Sequence, residues 1–384
     1  MSNNLTDFLK LPNVAVLSFS QIEDSICIHI KLANSGINCP HCNSSTTEIN
    51  QERPVLVKDL PAFGNPIYLR VPRRQFYCVQ CQRYSTERLE WVDSQRRHTR
   101  RYESNIYERV LGSSLEKVAR EENLSFDEIE GIFNHVSKQH VKKNWWPAKR
   151  LSLDEIAMRK GHKNFKTVVS DIDKAKLIEV INGHNTEAII EKLMDQPIEI
   201  REAVEEVSID MWGGFTKVIQ EVFPRAKIVT DRFHVMKPLI KELKKIANQV
   251  GIKGFDKKSL LLRNQDNLNS EQLEELNKLL CQSTRLRKAH EYKEEFREIY
   301  ENSETVESGK EKFTKWLKKA SLVYGQVITT ITNHLDSICN YFLSHASSGV
   351  MEGINNKIKQ IKRQAYGFTN FENFRIRLLA CFAD

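Results

Sequence analysis

Leu151-Ser152-Leu153-Asp154-Glu155 and Val207-Ser208-Ile209-Asp210-Met211-Trp212 are two short apolar runs, each carrying an aspartate where a buried strand is expected. An acid on a strand central to a core is expensive to bury unless a cation holds it. The surrounding pattern says which strands these are. Apolar segments over residues 151–157, 165–172 and 177–181 precede a helix near 187–194. Strands over 204–211 and 226–230 then enclose a helix near 215–222. Three strands, a helix, a strand, a helix and a strand is the order of a ribonuclease H-like core. In that order the strands of Asp154 and Asp210 lie side by side and their carboxylates face each other. Like charges in contact repel, and a divalent cation turns the repulsion into binding. Singly, a strand-end aspartate more often caps or turns the chain; the pair in this order carries the information. Glu155 is expected on the opposite face of its strand, and Asp171 and Asp173 near a hairpin turn.

A third acid comes from the C-terminal part. Over residues 350–363 the apolar stripe is Val350, Ile354, Ile358 and Ile361, the spacing of one helix face. Glu352, Asn356, Lys359 and Arg363 follow on a separate face at steps of four, three and four. One acid, one amide and two cations suit metal at one end and phosphate along the rest. A surface salt-bridge row is the plainer alternative. Between the last strand and this helix, residues 236–345 read as almost wholly helical, rich in Lys, Glu and Leu.

Upstream the composition changes. Residues 1–92 look strand-rich, and Cys39-Pro-His-Cys42 and Cys78-Val-Gln-Cys81 form two CxxC knuckles within them. Tetrahedral zinc needs four soft ligands, which two knuckles brought together by a hairpin supply. Val55–Leu60 and Ile67–Val71 are the expected strands, flanking a turn at Pro61–Pro66. Four buried or redox thiols are the competing reading. His41 lies inside the first knuckle and is expected to point away. Cys27, Cys281, Cys339 and Cys381 have no such spacing and read as core thiols.

Residues 93–146 look helical. Ser114 to Ser125 reads as a helix ending in a tight turn, with Asn123 where a left-handed backbone is wanted. Ser125 caps a second helix, with Glu128 completing a capping box, and Ile129, Ile132, Phe133 and Val136 form its apolar face. A helix pair of this kind places its second helix in the DNA major groove; an ordinary helical hairpin is the alternative. Charge tips the choice. Residues 70–101 hold nine arginines against Glu87, Glu90 and Asp93, a net +6 out of +8 for the whole chain. Guanidinium forks match phosphate geometry, so Arg70, Arg73, Arg74, Arg96, Arg97, Arg100 and Arg101 are the expected DNA contacts, with Asn356, Lys359 and Arg363 near the acids.

A chain of 384 residues suggests two or three domains, and 40% hydrophobic with 28% charged residues fits a globular protein. No stretch approaches the roughly 18 to 20 apolar residues of a membrane span, so no membrane partner is expected. The start, MSNNLTDFLK, lacks the basic-then-apolar pattern of a secretory signal. The expected location is the cytoplasm, on the nucleoid when DNA is bound. The fold class read from these features is multidomain α/β plus α. A zinc-binding β domain spans 1–92 and a helix-turn-helix domain 93–146. A ribonuclease H-like domain spans 151–384, with a helical insertion over about 236–345.

The chain closely resembles bacterial insertion-sequence transposases of the ISL-three family, from Cys39 to about Leu379. The specific stretches are Asp154 to His162, Val207 to Trp212, Ile228-Val229-Thr230-Asp231-Arg232-Phe233-His234-Val235, and Glu352 to Lys359 running on to Tyr366-Gly367-Phe368. The resemblance implies a DDE triad of Asp154, Asp210 and Glu352 holding Mg²⁺ or Mn²⁺, supported by a D-x-x-H element, here Asp231 and His234. It also implies zinc on Cys39, Cys42, Cys78 and Cys81, although Asn43 stands where the family has glycine. The activity implied is cleavage at the ends of a DNA element and joining of the freed 3′-hydroxyls to target DNA. The partner is double-stranded DNA, held by a homodimer or larger assembly. Two other readings are a non-catalytic DNA-binding relic and a junction-resolving or RNA-cleaving nuclease. Retention of all three acids disfavours the first, and the front end the second.

Overall fold

In the computed structural model, residues 3–140, 145–159, 163–211, 213–345, 349–365 and 370–382 are described. Two compact units divide between His140 and Val141.

The first unit opens with helix α1 (Asn3–Leu9) and strands β1 (Val14–Ile22) and β2 (Ser25–Leu32). Two short strands follow, β3 (Ile37–Asn38) and β4 (Ser45–Thr46), then a long hairpin of β5 (Ile49–Ala62) and β6 (Asn65–Cys78), and β7 (Arg83–Thr86). The sheet order is β1-β2-β6-β5, with β7 on β6. The β5–β6 hairpin is longer than its prolines suggest. Pro61 and Pro66 lie within the strands, and the turn is only Phe63-Gly64, both at positive φ (53° and 80°). That is the backbone a tight two-residue hairpin requires. Along β6, Ile67, Leu69 and Val71 are buried while Arg70 is exposed, the period-two pattern of a half-covered sheet.

Helices α2 (Arg100–Gly112), α3 (Leu115–Glu122) and α4 (Phe126–His140) complete this unit. Residues 93–99, expected as helix, instead run to Thr99, whose hydroxyl caps α2 by accepting from the Tyr102 N–H. The same segment is stitched to β5: Lys58 N–H donates to Arg97 O, and Thr99 N–H donates to Lys58 O. Beside it the buried Asp59 accepts from the Thr99 hydroxyl at 2.7 Å and from Arg101 Nε at 2.7 Å. The zinc-binding and helical segments are therefore packed as one unit.

The second unit carries β8 (Arg150–Arg159), β9 (Lys163–Asp171), β10 (Lys176–Ile181), α5 (Thr186–Met194), α6 (Ile198–Glu202), β11 (Glu206–Ile209), α7 (Gly213–Val222) and β12 (Lys227–Thr230). Its sheet order is β10-β9-β8-β11-β12, antiparallel across β10-β9-β8 and parallel across β8-β11-β12. The strands expected for Asp154 and Asp210 are thus neighbours, with Leu153 opposite Ile209 and Ile209 opposite Thr230.

The helical stretch runs through α8 (Arg232–Gln249), α9 (Phe255–Leu262), α10 (Ser270–Leu280), α11 (Thr284–Glu301), α12 (Val306–Tyr324), α13 (Gln326–Asn333) and α14 (Leu335–Cys339). It builds its own core around Phe296, Phe313, Trp316 and Tyr324. The chain then returns as α15 (Gly349–Gln364) and α16 (Phe371–Cys381). Leu151 and Leu153 pack on one sheet face with α5 and α7, whereas Ile156 and Val168 pack on the other with Ile354 and Ile358. Strand alternation therefore puts Asp154 on the α15 face and Glu155 on the opposite one. Asp171 and Asp173 lie at the β9–β10 turn, Asp173 paired with Arg150 and Asp171 accepting from Trp146 Nε1 at 2.6 Å. The thiols depart from expectation at one place. Cys27 and Cys339 are buried, but Cys281 is exposed at the C-terminal cap of α10, beyond that helix's buried Leu276 and Leu279.

The insertion leans on the edge strand of the sheet: Asn340 Nδ2 donates to Ile228 O at 2.8 Å, and the Thr230 and Ser337 hydroxyls lie 2.7 Å apart. A Cβ built at Gly309 on α12 would lie 2.0 Å from Phe342 Cε2. Gly309→Ala should therefore destabilise the second unit by about 1 to 3 kcal/mol, the cost of overpacking a tight core. Thermal denaturation reads this; an unchanged midpoint would show that α12 and Phe342 do not pack as described.

Candidate active site and zinc centre

Each cysteine knuckle is the turn of a hairpin, one joining β3 to β4 and the other β6 to β7. In each, the residue after the second cysteine takes the left-handed backbone, Asn43 at φ 59° and Gln82 at φ 55°. Their N–H groups donate to Cys39 O and Cys78 O respectively. Asparagine tolerates this conformation well, which accounts for Asn43 in place of glycine. The hairpins are tied by the Thr46 hydroxyl donating to Tyr77 O and Tyr77 N–H to Glu48 O. As a result all four thiol sulfurs lie within 4.8 Å of one another. The pairs Cys39–Cys81 and Cys42–Cys78 are each 3.5 Å apart, close to the ~3.8 Å edge of a tetrahedron with 2.3 Å zinc–sulfur bonds. Hydrogen bonds from Ser44 lower the Cys42 thiol to about 6, whereas burial pushes Cys81 up to about 12. A doubly charged ion brings such an uneven set to the thiolate form together. His41 lies outside the cluster, 3.4 Å from Arg83.

In the helical part, Asn123 takes the left-handed cap position (φ 51°, ψ 46°), and Ser125 accepts from the Glu128 N–H at 3.2 Å. The Glu128 carboxylate sits 3.1 Å from His98 Nε2. Ile129, Ile132, Phe133 and Val136 are all buried. The first turn of α4 is acidic, with Asp127 and Glu128, so phosphate attraction must come from elsewhere.

The arginines divide sharply. Arg74 is buried and makes a bidentate pair with Glu87, with Nη1 and Nη2 donating to Asn34. It is a structural residue, and its expected DNA contact is corrected accordingly. Removing one partner from so buried a pair costs roughly 3 to 5 kcal/mol. Arg101 is committed to Asp59 and Leu9 O, Arg96 to Glu103, and Arg100 to Asp93. Asp93 in turn lies 2.7 Å from His135, and these partners hold its carboxyl below the usual range. Arg70 and Arg97 remain exposed, and Arg73 half-buried.

On the second unit, Asp210 and Asp231 are the residues that follow β11 and β12, one step beyond the paired Ile209 and Thr230. Asp231 N–H donates to Ile209 O, and its carboxylate caps α8 by accepting from Phe233 N–H at 2.8 Å. One turn into α8, His234 places Nδ1 4.0 Å from Asp210 Oδ2. Helix α15 crosses this end of the sheet. A cavity of about 160 Å³ is lined by Asp154, Asp231, Phe233, His234, Met351, Glu352, Asn355, Asn356 and Lys359. The structure thus gathers Asp154 and Glu352 in one cavity, and His234 links it to Asp210. Arg363 is exposed farther along α15, its Nε donating to Lys359 O. On the other sheet face, burial and the charges of Asp210 and Asp154 raise the Glu155 carboxyl above the usual range, while His184 opposes the shift. The motif residues 160–162, 212 and 366–368 lie outside the described set.

Three cavity residues, Asn355, Phe233 and Met351, were not among the expected site residues, although the first two stand within the family-like stretches. Asn355 stands three residues after Glu352, a helical step that brings it to the same side as readily as the four-residue step to Asn356. Phe233, 59% exposed, borders the acids and has no sequence pattern to mark it.

Comparison with known proteins now decides the family. Residues 151–378 match a family described as "Transposase", which covers more than half of the chain. The chain belongs to the ISL3 family of transposases. Residues 35–81 match the zinc-finger of transposase IS204/IS1001/IS1096/IS1165, and residues 87–137 the helix-turn-helix domain of transposase family ISL3. The transposase is 27% identical over 374 residues to the transposase for insertion sequence element IS1001 of Bordetella parapertussis, covering 93% of this chain and 92% of that one. It is 26% identical over 259 residues to the transposase for insertion sequence element IS1557 of Mycobacterium tuberculosis, 57% of each chain. A match to a protein named ATP-dependent protease of Lactococcus lactis is confined to 56 residues, 15% of this chain. The transposase is accordingly a DNA-binding enzyme that cleaves DNA and transfers strands, with a zinc-ribbon front end. Among the described residues no helix is long and apolar enough to cross a membrane.

Two outcomes follow for the transposase. It should hold about one zinc per chain, and Cys78→Ser should lose that metal and unfold the first unit while the second keeps its melting transition. Metal analysis with calorimetry checks this; a folded, zinc-free first unit would overturn it. Arg97→Ala should weaken DNA binding and flatten its salt dependence at unchanged stability, because this side chain is exposed. Arg101→Ala should instead lower stability, by roughly 3 kcal/mol, through the stranded Asp59.

Proposed function

We propose that Asp154, Asp210 and Glu352 are the catalytic carboxylates with which this transposase cleaves the ends of its insertion sequence and joins them to target DNA. The observation that carries this is the cavity that brings Asp154, from the first strand of the sheet, against Glu352, from a helix beyond the entire insertion. The donor set is all hard oxygen, the set that Mg²⁺ or Mn²⁺ prefers over zinc. When bound there, the metal supplies the charge that activates water or a 3′-hydroxyl and stabilises the leaving oxygen. Around it the chain's own groups have separable tasks. Glu352 sits in the first turn of α15, where the helix dipole favours its negative charge. Lys359 and Asn356 extend along the same helix as phosphate contacts, with Arg363 beyond. His234 positions Asp210, and Asp231 fixes the start of the helix that carries His234.

The proposed division of labour follows the three matched segments: zinc binding in 1–92, helix-turn-helix binding of double-stranded DNA in 93–146, and catalysis in 151–384. Of the arginines expected to meet DNA, Arg70, Arg73 and Arg97 have no acidic partner among the described residues, and Arg96, Arg100 and Arg101 reach DNA only if they exchange theirs. An element has two ends, so a homodimer or larger assembly supplies one catalytic centre to each. The site of action is the cytoplasm, on the nucleoid.

Asp154→Asn, Asp210→Asn or Glu352→Gln should each remove strand cleavage, by more than the roughly 100-fold that outer-sphere partners cost, while end binding persists. Asp173→Asn is the control, because that acid pairs with Arg150 at a turn. The measurement is cleavage of labelled element-end duplex with Mg²⁺ at matched stability. Normal cutting by Glu352→Gln alongside a dead Asp173→Asn would sink the assignment.

A further inference from the structure

Asp154 does not hang free in its cavity. Its Oδ1 accepts from the Glu155 main-chain N–H at 2.7 Å, and its Oδ2 accepts from the Asn355 side-chain Nδ2 at 2.6 Å. Each carboxylate oxygen has two lone-pair directions, so one remains on each after these bonds. With Nδ2 donating to Asp154, the carbonyl oxygen of the Asn355 amide points the other way. That oxygen, Oδ1, is buried and has no hydrogen-bond partner among the described residues. Leaving a buried carbonyl unpaired is unfavourable, so the arrangement asks for a donor or a cation at that point. Asn355 lies one helical step from Glu352 and lines the same cavity as both acids.

We propose that Asn355 is a positioning residue: its amide fixes the Asp154 carboxylate rotamer for a divalent cation, and its carbonyl oxygen accepts from water bound to that cation. The inference rests on the reading of Asp154 and Glu352 as the metal-holding acids. The other charged or titratable groups around the pair are Glu352 and Lys359 on α15, Asp231 and His234 at the start of α8, and Glu155 on the opposite face of the sheet. None of them replaces the direct bond. Lys362, which donates to Ala157 O, seats α15 on β8 independently of Asn355, so the helix stays docked when the amide is changed.

The test uses the full-length protein and Mn²⁺ as probe, titrated by electron paramagnetic resonance without DNA, beside cleavage of element-end duplex. Asn355→Ala should weaken Mn²⁺ binding about 10- to 100-fold, the range found for partners that orient a metal ligand, and slow cleavage correspondingly. Asn355→Ser, which withdraws the amide from Asp154 but keeps a small polar side chain, should weaken Mn²⁺ binding likewise. Gln360→Ala, an exposed change on the same helix, should alter neither readout. Wild-type Mn²⁺ affinity in Asn355→Ala, with binding lost in Asp154→Asn, would overturn the positioning role and leave the carboxylate assignment standing. Wild-type affinity in Asp154→Asn would remove that assignment and this inference with it. Should Asn355→Ala fail to fold, Asn355→Ser decides alone, and wild-type Mn²⁺ affinity in that variant refutes the proposal.

Discussion

The register of one parallel sheet is the constraint on which the rest of the second unit's site depends. Pairing of β8, β11 and β12 puts Asp154, Asp210 and Asp231 at successive positions across neighbouring strands. Like charges brought together in this way repel. The surrounding groups answer that repulsion one acid at a time: Asn355 and a main-chain N–H for Asp154, His234 for Asp210, and the start of α8 for Asp231. The remaining negative charge is what the proposed divalent cation would offset.

The first unit solves a different problem. Its ribbon is thin, and the four thiols at the tips of two hairpins draw their stability from a metal. Farther from the metal, ion pairs with well-defined partners take over: Arg74 with Glu87 and Arg101 with Asp59 join strand to strand and strand to helix. Four of the nine arginines over residues 70–101, Arg74, Arg96, Arg100 and Arg101, are thus committed to holding the unit together. The basic segment is part scaffold and part exposed cationic surface.

This explains which parts of the molecule could be read from the chain. The strand order of the catalytic sheet was legible because Leu151, Leu153, Val207 and Ile209 are buried by helices on a face that alternation makes plain. The cysteine knuckles were legible because zinc spacing is local, and the turn at Asn123 because one residue's backbone preference decides it. Charge was legible only in sum. Nothing in a run of arginines distinguishes Arg74, whose partner Glu87 sits on the far side of a knuckle, from Arg97, which faces solvent. Cavity residues set by tertiary approach were equally hidden: Asn355 meets Asp154 only because α15 crosses β8. The prolines misled in the opposite direction, since Pro61 and Pro66 sit at the frayed ends of a long hairpin and leave a turn of just two residues.

The helical insertion has a consequence for how the molecule is made. Asp154 and Asp210 belong to strands that can pair as soon as both have left the ribosome. Glu352 and Asn355 follow only after eight more α-helices, α7 to α14, have been synthesised. Long sequence separation makes such contacts late to form. A nascent or prematurely terminated chain therefore carries the front unit complete and the acidic sheet end assembled but lacks the α15 glutamate. On the proposed assignment, competence to hold DNA precedes competence to cut it. The order in which the polypeptide emerges would then build a delay between the two, and an interrupted copy would occupy DNA without breaking it.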